Sequence, residues 1–129
     1  MRFNRRLIQS ILLLALAVFI LYRISSQGGN QGTLCRFSDR VDVDELVYVD
    51  HARCRMECRG VNQRTVEKVY RDGVVNCKKS SYKRGKPRYA LEKRDERGDK
   101  IRVIVEDDEG QHVIITVIRL GKDDHCSCS

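Results

Sequence analysis

From Ile11 to Tyr22 the chain carries no charged residue, and all six of its cysteines lie beyond that run. Extended back to Leu7, the run admits only Gln9 and Ser10 as polar residues. It is apolar all round, whereas a helix of a soluble domain is apolar along one stripe. A stretch of 12 to 18 such residues stands between a signal-peptide core and a membrane-spanning helix of about 20. Arg2, Arg5 and Arg6 precede it, and Ser-Ser-Gln-Gly-Gly-Asn-Gln-Gly follows closely after it, the layout of a targeting segment with a spacer. Ala15-Leu16-Ala17 matches a cleavage pattern but sits inside the apolar run, and Arg23-Ile24 supplies poor cleavage residues. Cys35 stands too far along to be a lipid-modified cysteine. An uncleaved signal anchor is therefore favoured over a cleaved, secreted form. The arginines hold the N-terminus in the cytoplasm, and the rest faces the periplasm. The expected organisation is a basic start (1–6), an anchor (7–24), a flexible linker (25–34) and a periplasmic domain (35–129).

Charge limits the partners. The net +7 divides into +4 from the four arginines of residues 1–34 and +3 from the remainder. That balance demands no polyanion, so nucleic acid is not an expected partner. With 41% hydrophobic and 33% charged residues, the chain is neither disordered nor a multi-span membrane protein.

Within the domain, residues 35–49 read as an extended arm. Asp50 is placed as the cap of a helix over 51–59 that stops at Gly60. Asn62 caps the next helix, with Val61 stapling to Val66 and with Val66, Val69 and Tyr70 on one face; Gly73 ends it. Four extended segments follow, over 74–80, 88–93, 101–106 and 112–120, with a basic loop over 81–87. Ile101, Val103 and Val105 share one face of their strand, and Val113, Ile115 and Val117 share a face of the last, with Ile114 and Ile118 opposite. The predicted class is α+β, two helices packed on a four-stranded antiparallel sheet, preceded by a single transmembrane helix.

Cys35, Cys54, Cys58, Cys77, Cys126 and Cys128 suit a disulfide framework in an exported domain. Cys54 and Cys58 are one helical turn apart and point the same way, toward a third element that the tail pair Cys126 and Cys128 supplies. Two chemistries fit. Cys54, Cys58, Cys126 and Cys128 bind a structural zinc, with His51 or His125 as a substitute ligand. Alternatively each helix cysteine bonds to one tail cysteine, and Cys35 bonds to Cys77.

Two polar clusters stand out. His51, Arg53, Arg55 and Arg59 crowd the first helix; in a ribonuclease His51 would move protons while Arg55 and Arg59 met phosphate charge. No spacing supplies a second acid–base group, and a solvated helix face accounts for the cluster. Lys78, Lys79, Tyr82, Lys83, Arg84, Lys86 and Arg88 form a basic stretch without an acid, an interaction surface for protein or lipid. Phosphate-loop, nucleophile-elbow and His-Glu-x-x-His motifs do not occur.

His51-Ala52, Arg55-Met56, Arg59-Gly60-Val61, Val66-Glu67 and Gly73, with the strand over 113–120, resemble the bacterial domain of unknown function 4258 across roughly residues 48–128. That family is similar in layout to small ribonuclease toxins of the barnase–colicin–RelE type. The added Cys54, Cys58 and Cys126-Ser127-Cys128 look like those of membrane-anchored members from Bacteroidetes-type bacteria. The resemblance transfers no catalytic set. The expected role is a non-catalytic accessory or assembly subunit of an envelope protein complex. The alternatives are a ribonuclease-like toxin or effector and a zinc-binding module.

Overall fold

The computed structural model describes residues 4–27 and 35–129, and the N-terminal helix and the domain from Cys35 onward are separate compact units. Helix α1 runs Arg5–Gln27. Its segment Arg5–Arg23 has a mean hydropathy of 1.8 and no buried residue. At 1.5 Å per residue it is about 28 Å long, enough to cross a hydrocarbon core; a signal sequence has the same character. The helix extends past both ends of the expected anchor. Residues 1–3 of the expected basic start and 28–34 of the expected linker lie outside the described residues.

The second unit is a mixed α+β layer. Helices α2 (Asp50–Arg59) and α3 (Gln63–Asp72) lie on one face of a six-stranded sheet. Its strands are β1 (Val47–Tyr48), β2 (Val74–Val75), β3 (Ser81–Lys83), β4 (Lys86–Arg94), β5 (Lys100–Asp108) and β6 (Gln111–Leu120), in the order β1-β6-β5-β4-β2 with β3 also on β4. Three of the predicted four strands hold nearly as read, as β4, β5 and β6, each slightly longer than expected. The first is only two residues long before a turn. The predicted basic loop is a hairpin: β3 returns into β4 through Arg84 and Gly85, both at positive φ, as a two-residue turn requires. The sheet is not purely antiparallel, because β1 runs parallel to β6. A two-residue strand is too short to show periodicity, which is why residues 47 and 48 read as part of an arm.

Local chemistry explains the helices. Asn62 Oδ1 accepts the Thr65 amide at 2.8 Å, as expected of the α3 cap. Asp50 is not the α2 cap; Val49 holds that position without a side-chain bond, and Asp50 begins the helix, where its charge complements the dipole. Gly60 ends α2 at φ +61, a left-handed conformation that glycine adopts freely. The core joins Val61, Val66, Val69 and Tyr70 from the helical side to Leu91, Ile101, Val103, Val105, Ile114 and Val117 from the sheet.

The expected face of the last strand is broken by a bulge. Val105 pairs with Ile114 but Ile104 pairs with Thr116, so Ile115 is an extra residue. His112, Ile114 and Val117 consequently point into the core, while Val113, Ile115 and Ile118 are half-buried outside it. On the face away from the helices, charges pair across strands. Lys86 meets Asp108 at 2.7 Å, Arg88 meets Glu106 at 2.5 Å, and Glu92 meets Arg102 at 2.6 Å and Lys100 at 2.7 Å. Burial alone pushes the Glu92 carboxyl up, but hydrogen bonds from Lys100, Arg102 and Asn76 outweigh it and hold it at about 2.

Candidate functional site

Two bonds fasten the tail to α2. Cys54 is bonded to Cys128 and Cys58 to Cys126, each with Cα atoms 5.9 Å apart. One helical turn separates Cys54 from Cys58, so their side chains emerge together and receive the tail in antiparallel order. Arg119 reinforces the clasp: its guanidinium grips the Asp124 carboxylate through Nε at 3.1 Å and Nη2 at 2.6 Å. A third bond, Cys35–Cys77, ties the arm before Phe37 to the turn after β2, with Cα atoms 4.8 Å apart. This is one of the two arrangements the sequence left open. The other, zinc held by Cys54, Cys58, Cys126 and Cys128 with His51 or His125 substituting, is not supported, because every cysteine sulfur is bonded to another and no thiolate remains. Among the described residues no other set of His, Cys, Asp or Glu gathers as metal ligands.

The α2 cluster is dispersed by its contacts. Arg55 Nε donates to His51 Nε2 at 3.4 Å, Arg59 donates to the Val117 carbonyl of the sheet, and the Arg53 guanidinium lies 5.4 Å from the centre of the Tyr48 ring. Arg59 thus reaches the backbone of β6 past the end of its pairing with β1. Burial, followed by the neighbouring Arg55 charge, lowers its proton affinity. No hydrogen bond links any two of His51, His112 and His125 among the described residues.

The basic stretch divides in two. Lys86 and Arg88 belong to the cross-strand ion pairs with Asp108 and Glu106. Lys78, Lys79, Lys83 and Arg84 are exposed and make no ion pair among the described residues, and Tyr82 stands among them in sequence at 42% exposure. Lys83 and Arg84 follow Tyr82 directly on the β3–β4 hairpin, and Lys78 and Lys79 lie in the turn that leads into it.

Sequence reasoning missed a buried polar group. His112, the second residue of β6, is 2% exposed. Tyr70 Oη accepts the Val41 amide at 2.8 Å and shares a hydrogen bond of 2.6 Å with His112 Nδ1. Phe37 packs against Tyr70, Tyr89 and His112 with ring centroids 4.7–5.7 Å apart. Burial lowers the His112 proton affinity below the ordinary 6.5, opposed by the Asp107 and Asp39 charges. The unfolded chain therefore protonates first. Stability is full above pH of about 6.5 and falls as the pH drops below it. Thermal unfolding of the full chain in detergent should show Tm decreasing from pH 7.5 to 5, and His112→Asn, which keeps an acceptor near Nδ1, should flatten that slope. The Glu92 contribution is separate, since it disappears only as pH falls from 4.5 toward about 2.

One family model, described as Domain of unknown function (DUF4258), matches residues 48–119. The chain belongs to this family. The match to DUF4258 begins in β1 and ends one residue before the end of β6. Every disulfide joins a cysteine inside the DUF4258 segment (Cys54, Cys58 or Cys77) to one outside it (Cys128, Cys126 or Cys35). The bonds thus staple two flanking extensions onto the family domain. No curated protein and no solved structure matches the chain.

Proposed function

We propose that this chain is a non-catalytic accessory or assembly subunit of an envelope protein complex, anchored in the inner membrane by α1 with its DUF4258 domain in the periplasm. The observation that carries this reading is the pairing of all six cysteines in bonds that fasten flanking segments to the domain. Such bonds persist in oxidising compartments, and an apolar N-terminal helix is the means of reaching one. The surface offered to a partner is the β3–β4 hairpin. Its free cations orient an acidic protein surface, and Tyr82 supplies a rigid amphipathic contact of the kind enriched at interfaces.

Purification of the full chain from membranes in mild detergent tests this. A second protein should co-purify, and Lys79→Glu with Lys83→Glu and Arg84→Glu should abolish its recovery while leaving the thermal transition unchanged. Recovery of a lone monomer in both cases contradicts the proposal. RNA cleavage by the full chain that disappears in His51→Ala and Arg55→Ala would replace it with the ribonuclease alternative.

A further inference from the structure

Away from the hairpin, a second cationic site occupies a cleft of about 330 Å³ between α3 and the β4–β5 connection. Arg64 and Lys68 line it from the helix, and Lys93, Arg94 and Arg97 line it from the sheet side. Two carboxylates, Asp95 and Glu96, also border it, but both are engaged. Asp95 Oδ1 accepts the amides of Arg97 at 3.0 Å and Asp99 at 2.9 Å, which shapes its own turn. Glu96 pairs with Lys68 at 2.5 Å, and that hydrogen bond lowers its pKa. The Glu96 side chain is 85% exposed, so this pair is worth little and yields readily to a stronger anion.

Among the described residues Arg64, Lys93 and Arg97 make no ion pair, whereas Arg102 pairs with Glu92, Arg119 with Asp124, and Lys122 with Asp99. Five cations from two elements thus line one concave site against two carboxylates, both already engaged. Its guanidinium groups suit a tetrahedral oxyanion, which offers several acceptor oxygens to planar donor forks. The excess of cations suits two negative charges, and the volume has room for more than a bare ion.

We propose that this cleft is a binding site for a phosphate monoester, with Arg64 and Arg97 as its principal ligands and Lys68 released from Glu96 to join them. The proposal is independent of the envelope-subunit reading and of the hairpin. The phosphate monoester could be carried by a soluble compound or by a lipid headgroup, and the two arms of the test distinguish these sources.

The full chain, held in neutral phosphatidylcholine nanodiscs, is titrated with glycerol phosphate by calorimetry. In the second arm, nanodiscs containing phosphatidic acid are captured by the chain in detergent. Binding of at least one probe is expected, weakened about tenfold or more by Arg64→Gln and separately by Arg97→Gln, the loss of roughly one charge-assisted contact each. Lys83→Gln with Arg84→Gln should change it less than twofold. Both arginines are exposed, so the thermal transition should not move. Dependence on these arginines with glycerol phosphate supports a soluble ligand, and dependence with phosphatidic acid alone supports a headgroup. Absence of binding to either probe, or binding that neither arginine substitution weakens, overturns the site.

Discussion

Removal of both tail bonds, by replacing Cys54, Cys58, Cys126 and Cys128 with alanine, is expected to unfold most of the domain at 37 °C, whereas removal of either bond alone should be tolerated. The asymmetry follows from loop closure. The outer bond joins residues separated by 74 positions and the inner bond residues separated by 68. Either one, if alone, closes a loop worth about 4 kcal/mol of chain entropy. The other then closes a ring of only a few residues and adds about 2 kcal/mol. Each single removal (Cys54→Ala with Cys128→Ala, or Cys58→Ala with Cys126→Ala) should therefore cost about 2 kcal/mol. The fourfold variant should cost about 6 kcal/mol, more than twice a single removal and comparable to the whole stability of a small domain. Urea unfolding of the three variants measures this. Equal and additive losses would mean that the tail is held by packing and the Arg119–Asp124 contact rather than by the bonds.

The second large effect is expected from Tyr70→Phe. A single oxygen is removed, but two groups lose their partner: the Val41 amide and His112 Nδ1. Tyr70 and His112 are within the core, where each unsatisfied polar group costs about 1–3 kcal/mol. The substitution should cost about 2–4 kcal/mol and lower Tm by roughly 10–25 °C in a domain of this size. Tyr82→Phe, at an exposed ring, should shift it by less than about 0.5 kcal/mol. A Tyr70→Phe variant with wild-type Tm would show that the hydroxyl carries no structural load.

Much of the architecture is written in short-range patterns. The apolar run, the Asn62 cap, the Val66–Val69–Tyr70 face and the alternation Ile101–Val103–Val105 all reappear as elements or buried faces. What escaped depends on partners distant in sequence. Val47 and Tyr48 form a strand only because β6 lies beside them. The bulge at Ile115 reverses the alternation that a regular strand would keep, and this turns His112 inward next to Tyr70. Val74–Val75 stops as a strand because Asn76 turns the chain, donating to Glu92 at 2.9 Å through its side chain. The candidate site divides the same way. Paired cysteines one turn apart announce a shared partner, yet their spacing serves zinc or sulfur equally, and only the tail's approach decides. The basic stretch was visible as a cluster, but the loss of Lys86 and Arg88 to Asp108 and Glu106 depends on strand register. The α3 cleft draws its cations from segments some thirty residues apart, so no local motif marks it.

Membership of the DUF4258 family covers the domain between the staples, and the staples themselves suit an oxidising compartment. Placement of residues 35–129 across the membrane is therefore the central claim. Its most direct measurement is the activity of an alkaline phosphatase fused after Ser129 and expressed in a Gram-negative host. An active enzyme is expected, since the phosphatase's own disulfides form only after export. An inactive phosphatase, together with bright fluorescence from a cytosol-dependent reporter fused at the same position, would contradict it.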